Sequence, residues 1–408
     1  MIVVYGKWKV WKWLESLLNH LLIDHVLMDD ADYNDDILSS VEYVIVSPGI
    51  KPSHVVYQKY HQKILSELNY LWLILPTLGL PSITYIGITW TNGKSTTSSI
   101  MYQALQKLLP SSQIWLTWNF DTPLSETILS ILKSKEDKEH ICVVETSSFM
   151  LYNLENFIFD YAIWLNIARD HLDRHGDMDQ YIAAKMSICK NSRHCFISKT
   201  LYGLLPLDTQ QIATIIPDVI DISYTKFLWK HNMYNISAVI CCLQSICEKK
   251  SIDLHVKQIF SSIDPLPHRI QTIATIDGVR IVDDGISTSA QSLLVWLEAM
   301  DSKCVLIAGW YDKGDDYSIL ASVFAWNVWC VVWLGKNKHI FADIAHDVWV
   351  PYVPTDTLKD AVDTAISKAK ELNLSLVLYS PGAASFDMFK NVYDRVEQFN
   401  QIVSWLTS

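Results

Sequence analysis

Short apolar segments alternate with longer, helix-like stretches along most of the chain. The short segments are rich in β-branched residues and are bounded by Gly, Pro, Asn or Asp, which is typical of buried strands. They are Ile2–Tyr5, Tyr43–Val46, Thr84–Thr89, Cys142–Glu145, Tyr161–Asn166, Cys304–Ala308 and Leu376–Tyr379. The alternation predicts an α/β fold, in which parallel sheets are covered by helices on both faces.

Two polar, proline-containing breaks divide this pattern. They lie near Pro81–Ser82 and at Asp264–Pro267. A chain of 408 residues is too long for one ordinary core. The breaks therefore predict three domains, with residues 1–82, 83–265 and 266–408.

Composition and charge exclude several classes of protein. Hydrophobic residues make up 50% of the chain and charged residues 19%, which favours compact globular domains over disorder. The formal net charge of -11, without a basic cluster, argues against nucleic acid as a partner. The chain has neither an export signal at its N-terminus nor an apolar run long enough to span a membrane, so we expect a cytoplasmic protein.

The cysteines show no paired C-x-x-C spacing, and several lie in apolar, strand-like segments. We therefore expect reduced, mostly buried thiols of a cytosolic protein. The eight are Cys142, Cys189, Cys195, Cys241, Cys242, Cys247, Cys304 and Cys330.

The first domain begins like a dinucleotide-binding unit. A strand ends at Tyr5, a Gly6-Lys7 turn follows, and the next apolar run ends at Asp29. However, Trp8 and Trp11 stand where such a turn requires glycine, because only glycine allows the backbone to approach a phosphate closely. A basic surface turn with exposed aromatic residues is an equally good interpretation of these residues alone.

The segment Thr89–Thr96 has the ending of a phosphate-binding loop. It follows an apolar strand and precedes a helix-like run from Thr97 to Leu109. Gly93 permits a tight turn, Lys94 can contact the β- and γ-phosphates, and Ser95 can bind magnesium. Ile88 occupies the place of the first glycine of the general pattern, so the match is incomplete and a chance match stays open.

Acidic and imidazole side chains follow two further predicted strands. Glu145 ends one strand, and the segment Ala168–His175, with two histidines, follows the next. In open α/β sheets the carboxyl ends of the strands face the ligand crevice, where a carboxylate can hold magnesium. A solvated surface position is the alternative for Lys185 in the following helix-like run.

Six motifs in order resemble the series found in Mur ligases. They are Thr89–Thr96, Glu145–Phe149, Asp170–His175, Ala183–Lys185, His231–Asn232 with Asn235, and Leu266–Arg269. Ser47–Gly49, Asp283–Asp284 with Thr288, and Ser380–Asn391 resemble the members of the family that add D-glutamate. The resemblance covers nearly the entire chain. It implies an N-terminal Rossmann-like domain, a central ATPase domain and a C-terminal Rossmann-like domain.

The resemblance also assigns site residues by position. The residues that it implies for ATP are Thr91, Asn92, Gly93, Lys94, Ser95, Thr96, Asn232, Arg269 and Asp284. Those implied for two magnesium ions are Ser95, Glu145, His171 and Lys185, with Lys185 carbamylated, and those implied for catalysis are Lys94, His171 and Lys185. Those implied for the substrates are Asp29, Gly49, Asn119, Ser147, Thr288, Lys313 and Ser385.

The activity implied by the resemblance is ATP-dependent ligation of D-glutamate to UDP-N-acetylmuramoyl-L-alanine, by a monomer that binds no membrane. Ile286 departs from the pattern, because some family members have lysine there, and this puts part of the contact with the acidic substrate in doubt. Another Mur ligase and a folylpolyglutamate synthase-like ligase are alternatives. The short first domain and the Ser380–Asp387 segment argue against both.

Six tryptophans stand where the family pattern has glycine: Trp8, Trp11, Trp90, Trp118, Trp229 and Trp310. The chain has 16 Trp and only 13 Gly in 408 residues, whereas glycine is usually about 7% of a protein. Our hypothesis is that many of these positions are UGA codons that the source cell reads as glycine. If the tryptophans are genuine, a non-catalytic nucleotide-sugar-binding relative becomes the alternative.

Overall fold

The structure is a computed structural model and describes residues 1–6, 11–91, 93–117, 122–134, 136–218, 220–227, 231–300, 302–311, 316–335, 338–385 and 388–407. The chain forms two compact units, Met1–Asp264 and Pro265–Ser408. Within the described residues there are three β-sheets, two in the first unit and one in the second. The expected α/β fold is confirmed. The three domain ranges drawn from the sequence stay a prediction.

The first sheet is parallel, and its described strands lie in the order β2-β1-β3-β4. These strands are β1 (Ile2–Tyr5), β2 (His25–Met28), β3 (Val44–Val46) and β4 (Ile64–Leu65). Its helices are α1 (Trp11–His20), α2 (Asp35–Ser40), α3 (Val55–Tyr60) and α4 (Glu67–Ile74), with 3₁₀ turns at His61–Lys63 and Leu75–Thr77.

The second sheet is also parallel, and its order is β10-β9-β8-β5-β7-β6 among the described strands. The strands are β5 (Ile83–Thr89), β6 (Gln113–Thr117), β7 (His140–Glu145), β8 (Phe159–Trp164), β9 (Ser192–Ser198) and β10 (Ala213–Ile216). The carboxyl ends of β8, β5 and β7 therefore lie side by side. From β5 the chain passes to β6 at one edge of the sheet, returns to β7, and then crosses to β8 on the other side of β5. Sheets of this kind bind ligands at the point where the strand order reverses.

Nine described helices connect or follow the strands of this second sheet. They are α5 (Lys94–Leu108), α6 (Leu124–Ser134), α7 (Ser148–Leu151), α8 (Leu172–His175), α9 (Met178–Lys190), α10 (Lys199–Tyr202), α11 (Leu207–Gln210), α12 (His231–Lys250) and α13 (Val256–Phe260). Strand β7 is buried along its whole length, as expected for a strand covered on both faces.

The second unit contains a mixed sheet with the described order β11-β12-β16-β13-β14-β15, in which only the β11–β12 pair is antiparallel. The strands are β11 (Gln271–Ile276), β12 (Val279–Asp283), β13 (Cys304–Gly309), β14 (Val328–Leu334), β15 (Tyr352–Pro354) and β16 (Leu376–Tyr379). Its helices are α14 (Ala290–Ala299), α15 (Ala321–Asn327), α16 (Lys338–Asp347), α17 (Leu358–Glu371) and α18 (Val392–Thr407), with a 3₁₀ turn at Tyr317–Leu320.

One expectation about the cysteines is wrong. Cys189 and Cys195 are both buried and form a disulfide, with their Cα atoms 5.2 Å apart. The two residues are six positions apart, and the turn of the chain from the end of α9 into β9 brings them together. The other six cysteines are free thiols, and all but Cys241 are buried.

No helix in the described part of the chain is long and apolar enough to cross a lipid bilayer.

Candidate active site

The phosphate-loop segment lies at the carboxyl end of β5 and leads directly into α5. Gly93 has φ 110°, a left-handed conformation that favours glycine, and it immediately precedes Lys94, the first residue of the helix. A side-chain carbon added to Gly93 would lie 2.9 Å from Nε1 of Trp90. Ser95 and Thr96 follow in the first turn of α5, where backbone N–H groups and the helix dipole favour an anion. Asn92 lies outside the described residues.

Trp90 fills the space beside this turn. Its side chain is fully buried, and its indole N–H has no hydrogen-bond partner among the described residues. A buried donor without a partner costs about 1–3 kcal/mol. Trp90 thus places a large side chain and an uncompensated donor beside the glycine turn.

Two lysine amines converge on the backbone carbonyl of Trp90. Nζ of Lys94 donates to this oxygen at 2.8 Å and to the carbonyl of Thr91 at 3.1 Å. Nζ of Lys185, from α9, donates to the same Trp90 oxygen at 2.9 Å. Lys94 and Lys185 are thus brought together at the loop, as their shared assignment to the site requires.

Lys185 is not the surface residue that its sequence surroundings allowed. It is only 1% exposed, and its amine lies 5.1 Å from the centre of the Tyr181 ring. Burial lowers the pKa of Lys185 well below its ordinary value, and the nearby charge of Lys94 lowers it further, while Asp170 opposes the shift. Burial therefore favours the neutral, nucleophilic form of the amine over its charged form.

Thr91 ties the phosphate loop to the segment after β8. Its backbone N–H donates to Oδ1 of Asn166 at 3.2 Å, and its Oγ1 accepts from the N–H of Ala168 at 3.0 Å. The hydroxyl of Tyr181 lies 3.1 Å from the same Oγ1. Tyr181 was not identified from the sequence; its position one helical turn before Lys185 is the signal that could have found it.

The acidic and histidine residues occupy the neighbouring strand ends. Glu145 ends β7 and is 4% exposed. His171 has φ 53° just before α8, and its Nε2 lies 3.3 Å from a carboxylate oxygen of Asp170. Ser147 caps α7, since its Oγ accepts from the N–H of Met150 at 3.3 Å. Glu145 and Ser147 thus lie at and just after the end of β7, and His171 follows β8; these two strands flank β5.

The asparagines of α12 lie next to the phosphate loop. Nδ2 of Asn235 donates to Oδ1 of Asn232 at 3.1 Å, and both side chains are buried. A side-chain carbon on Gly93 would lie 3.4 Å from Oδ1 of Asn235. The predicted nucleotide residue Asn232 is therefore held near the loop through Asn235.

The first sheet has a cavity of about 570 Å³ at the carboxyl end of β3. Gly49 lines it, together with Lys51 and His54, whereas Asp29 lies after β2 and is not among the lining residues. The ring of His54 lies 3.0 Å from Oδ1 of Asp30, to which the hydroxyl of Tyr5 also donates at 2.6 Å. His54 was not identified from the sequence, because a lone histidine after a short loop carries no specific signal.

In the second unit, Asp284 lies directly after β12. It is fully buried, and the hydroxyl of Ser380 donates to its Oδ2 at 2.6 Å. Burial raises the pKa of Asp284 well above its ordinary value, while the hydrogen bond from Ser380 and the charge of Arg269 act in the opposite direction.

Arg395, from α18, joins the two loops that contain Thr288 and Ser385. It is fully buried, and its guanidinium donates to the carbonyl of Ala383 at 2.8 Å and to that of Gly285 at 3.0 Å. Thr288 is half-buried before α14, and Ser385 is buried after β16. Arg395 belongs to no motif and was not identified from the sequence. Asn119 and Lys313 lie outside the described residues.

Trp310 follows Gly309 at the end of β13. It is fully buried with φ 101°, a backbone conformation that L side chains rarely adopt. A side-chain carbon on Gly309 would lie 2.4 Å from the carbonyl oxygen of Leu334. Both positions therefore have the geometry of a glycine pair. Trp11 is buried at the start of α1, and Trp8, Trp118 and Trp229 lie outside the described residues.

A left-handed glycine before a helix that begins Lys-Ser-Thr, beside strand ends bearing a carboxylate and an imidazole, defines a phosphate-loop, nucleotide-binding α/β protein. Residues 88–216 match the family model described as the Mur ligase middle domain. A UDP-N-acetylmuramoylalanine–D-glutamate ligase of Lawsonia intracellularis is 30% identical over 369 residues, covering 89% of this chain and 80% of that relative. The chain belongs to the Mur ligase family.

Solved structures with the same fold are distant in sequence. MurF ligase of Thermotoga maritima, in complex with ADP, is 15% identical with a TM-score of 0.57, and the match covers 90% of each chain. Folylpolyglutamate synthase of Mycobacterium tuberculosis, complexed with ADP, is 13% identical with a TM-score of 0.58 over 96% of this chain and 99% of that one. These likenesses show the fold alone.

Proposed function

We propose that the chain is an ATP-dependent ligase that joins D-glutamate to UDP-N-acetylmuramoyl-L-alanine in peptidoglycan synthesis, as a cytoplasmic monomer. The observation that carries the proposal is the likeness to D-glutamate-adding relatives over 89% of the chain. The geometry of the phosphate loop supports ATP as the energy source. The folylpolyglutamate synthase likeness is at 13% identity and extends to the fold only.

The proposed reaction has two bond-forming steps. A carboxylate oxygen of the alanyl group attacks the γ-phosphorus of ATP, and ADP leaves, which gives an acyl phosphate. The amine of D-glutamate then attacks the acyl carbon, phosphate leaves, and the amine proton passes to solvent. Neither step needs a covalent bond to the protein, so the rate depends on positioning and on stabilisation of the transferring charge.

The phosphate loop supplies the first part of this stabilisation. The N–H groups at the start of α5 would bind phosphate oxygens, and Lys94 would turn from the Trp90 carbonyl toward the β- and γ-phosphates. The bonds of Lys94 to two backbone oxygens hold its ammonium within the loop. The other candidates for ATP are Thr91, Asn92, Gly93, Ser95, Thr96 and Asn232 in the first unit, and Arg269 and Asp284 in the second.

The candidate ligands near the loop divide between two magnesium ions, Ser95 with Glu145 for one and His171 with Lys185 for the other. Ser95 lies in the first turn of α5 and Glu145 at the end of β7, and Mg²⁺ prefers oxygen ligands while retaining several waters. In the described residues no three His, Cys, Asp or Glu side chains form a metal cluster by themselves. Magnesium would neutralise part of the phosphate charge during transfer.

Lys185 fits the site best as a carbamate. Two cationic amines at one carbonyl oxygen repel each other, and burial also disfavours the charged form of Lys185. The neutral amine can add carbon dioxide and release a proton, which makes the side chain an anion beside Lys94. A carbamate would replace the repulsion by attraction and would provide an oxygen ligand for magnesium.

Some of the residues assigned to the substrates belong to the first unit and some to the second. Asp29 and Gly49 are assigned to the uridine end, where the cavity at β3 offers the space, and Ser147 to the nucleotide sugar. Thr288 and Ser385 are assigned to D-glutamate, in the loops that Arg395 joins.

Phosphate release tests the proposal. The chain is given ATP, magnesium, UDP-N-acetylmuramoyl-L-alanine and D-glutamate, both as it stands and with glycine at Trp8, Trp11, Trp90, Trp118, Trp229 and Trp310, and Lys94→Ala serves as the inactive control. We expect release that requires D-glutamate and that Lys94→Ala abolishes. Release with another amino acid or a folate acceptor, but not with D-glutamate, would reject the substrate.

The buried Trp90 and the strained Trp310 favour a second candidate, a nucleotide-sugar-binding protein without catalysis. Nucleotide-sugar binding by the unaltered chain, with no turnover in either form, would support it.

A further inference from the structure

Helix α4 joins the cores of the first two sheets. Tyr70 packs with the core residues of the first sheet, whereas Leu68 and Leu71 pack in the core of the second sheet. Two polar side chains of the same helix are also buried: Glu67 is 7% exposed and Asn69 is 2% exposed. Buried polar groups are expensive unless they are hydrogen-bonded, so their partners indicate what the helix holds in place.

Asn69 is bonded to one short segment of the second sheet's domain. Its Nδ2 donates to the carbonyl of Asn153 at 2.7 Å. Its Oδ1 accepts from the N–H groups of Glu155 and Asn156, both at 3.2 Å. Asn153 has φ 59°, so this is a tight turn whose backbone groups are satisfied by the Asn69 side chain rather than by a helix or sheet.

The same segment is also bonded to α9, the helix that contains Lys185, and to Asn191, the residue that follows it. The hydroxyl of Ser187 donates to the carbonyl of Leu151 at 2.9 Å. Nδ2 of Asn191 donates to the carbonyl of Leu154 at 3.1 Å. Residues 151–156 are therefore fixed between α4 and α9, at the end of the short helix α7 that Ser147 caps.

Glu67 holds a second element. Its Oε1 accepts from the N–H of Ser125 at 3.0 Å, in the first turn of α6. A carboxylate at this end of a helix interacts favourably with the helix dipole. One turn of α4 thus anchors both α6 and the segment that follows α7.

We infer that Asn69 is a positioning residue for the nucleotide-sugar substrate: through residues 153–156 it fixes α7, and with it the orientation of Ser147. This inference rests on the proposed function, because Ser147 is assigned to that substrate. None of the three Asn69 bonds reaches the phosphate loop directly, so we expect a change at Asn69 to affect nucleotide-sugar binding more than ATP binding.

The test compares three full-length variants: Asn69→Ala, Asn69→Asp and the control Thr357→Ala. They are made in whichever form of the chain, unaltered or with glycine at the six tryptophan positions, releases phosphate. Thr357 caps α17 in the second unit, where its side chain accepts from the N–H of Asp360 at 3.1 Å, so its loss weakens the fold away from Ser147. We measure KM for UDP-N-acetylmuramoyl-L-alanine, KM for ATP, kcat and the thermal midpoint.

Asn69→Ala is expected to raise KM for the nucleotide sugar at least fivefold, with KM for ATP and kcat changed less than twofold. Asn69→Asp, which keeps the two accepted bonds and loses the donated one, should give a smaller rise. Thr357→Ala should lower the thermal midpoint and leave both KM values unchanged. A purely structural role would make Asn69→Ala resemble Thr357→Ala, and that result overturns the inference.

Failure of the proposed function gives a different result, because the parent chain then shows no D-glutamate-dependent phosphate release at all. Nucleotide-sugar affinity is in that case measured by calorimetry on the parent and on Asn69→Ala. A loss of at least fivefold supports the positioning role, and equal affinities overturn it.

Discussion

Helix α16 ends in a residue whose side chain does not suit its backbone conformation. Trp349 has φ 60° and is 93% exposed. The N–H of Val350 donates to the carbonyl of Ala345 at 2.8 Å, and the N–H of Trp349 donates to that of His346 at 3.1 Å. This is the Schellman ending of a helix, in which the left-handed position is most often glycine.

Helix α17 ends in the same way and offers a matched comparison. Asn373 has φ 53°, the N–H of Leu374 donates to the carbonyl of Ala369 at 2.8 Å, and the N–H of Asn373 donates to that of Lys370 at 3.1 Å. Asparagine tolerates the left-handed conformation better than other residues that carry a side chain. The two helix ends thus differ mainly in the residue at the left-handed position.

We predict that Trp349→Gly stabilises the protein by about 0.5–1 kcal/mol. The left-handed conformation costs a residue with a side chain about 1–2 kcal/mol, and the greater freedom of glycine in the unfolded chain offsets about 0.5–1 kcal/mol of that gain. Almost no buried contact is lost, because the indole is 93% exposed. For Asn373→Gly we expect a change of only a few tenths of a kcal/mol.

The assay is urea unfolding of both variants, followed by far-ultraviolet circular dichroism, together with hydrogen exchange at the Val350 amide. Trp349→Gly should raise the urea midpoint and slow exchange at Val350, and Asn373→Gly should leave both nearly unchanged. If Trp349→Gly lowers the midpoint, or raises it no more than Asn373→Gly does, the backbone-strain reasoning is wrong.

Three further predictions concern the site and its supports. Gly93→Ala should weaken ATP binding at least tenfold by calorimetry, because φ is 110° and the added carbon has a neighbour at 2.9 Å, whereas Gly79→Ala, at φ 61° with open space around it, should not. In buffer freed of carbon dioxide, where Lys185 is an uncarbamylated amine, it should bind a proton in the unfolded chain but not in the folded one between its lowered folded-state pKa and the ordinary value of 10.5. The free energy of unfolding should therefore rise with pH in that window, and Lys185→Met should lack the rise in urea titrations. Asn400→Ala removes one of the donors to the buried Asp283, at 2.8 Å, and should destabilise the second unit by about 1–3 kcal/mol in the same titrations.

The strands could be predicted well from the sequence, because a buried parallel strand is recognisable from the residues of its own short segment. Ile2–Tyr5 and Leu376–Tyr379 are strands with the predicted bounds, and the other five segments differ from their strands by a few residues at one or both ends. An apolar, β-branched run between turn residues has few alternatives when both of its faces are covered. The loops at the strand ends were then placed by topology.

The supports of the site were not predictable in the same way. Asn69 and Arg395 act on segments 84 and 110 positions away in sequence, and no local pattern shows which backbone groups a buried polar side chain will satisfy. The burial of Lys185 likewise depends on how α9 packs against the loop after β5. Tertiary packing decided each of these features, whereas the motifs identified only the residues meant for ligands.

The tryptophans differ in how well they suit their positions. Glycine encoded by UGA would explain three of them, although the three do not belong to one motif. Trp90 is buried beside Gly93 of the phosphate loop, Trp310 is buried at φ 101°, and Trp349 is exposed at φ 60° outside every motif. Trp164, in contrast, ends the buried strand β8, where a large apolar side chain belongs. Glycine would suit the first three positions and not the fourth. We therefore expect peptides of the protein purified from its source cells to contain glycine at positions 90, 310 and 349 and tryptophan at position 164 by mass spectrometry. Tryptophan at position 349, or UGG codons at positions 90 and 310, would show that the chain tolerates these strains as it stands.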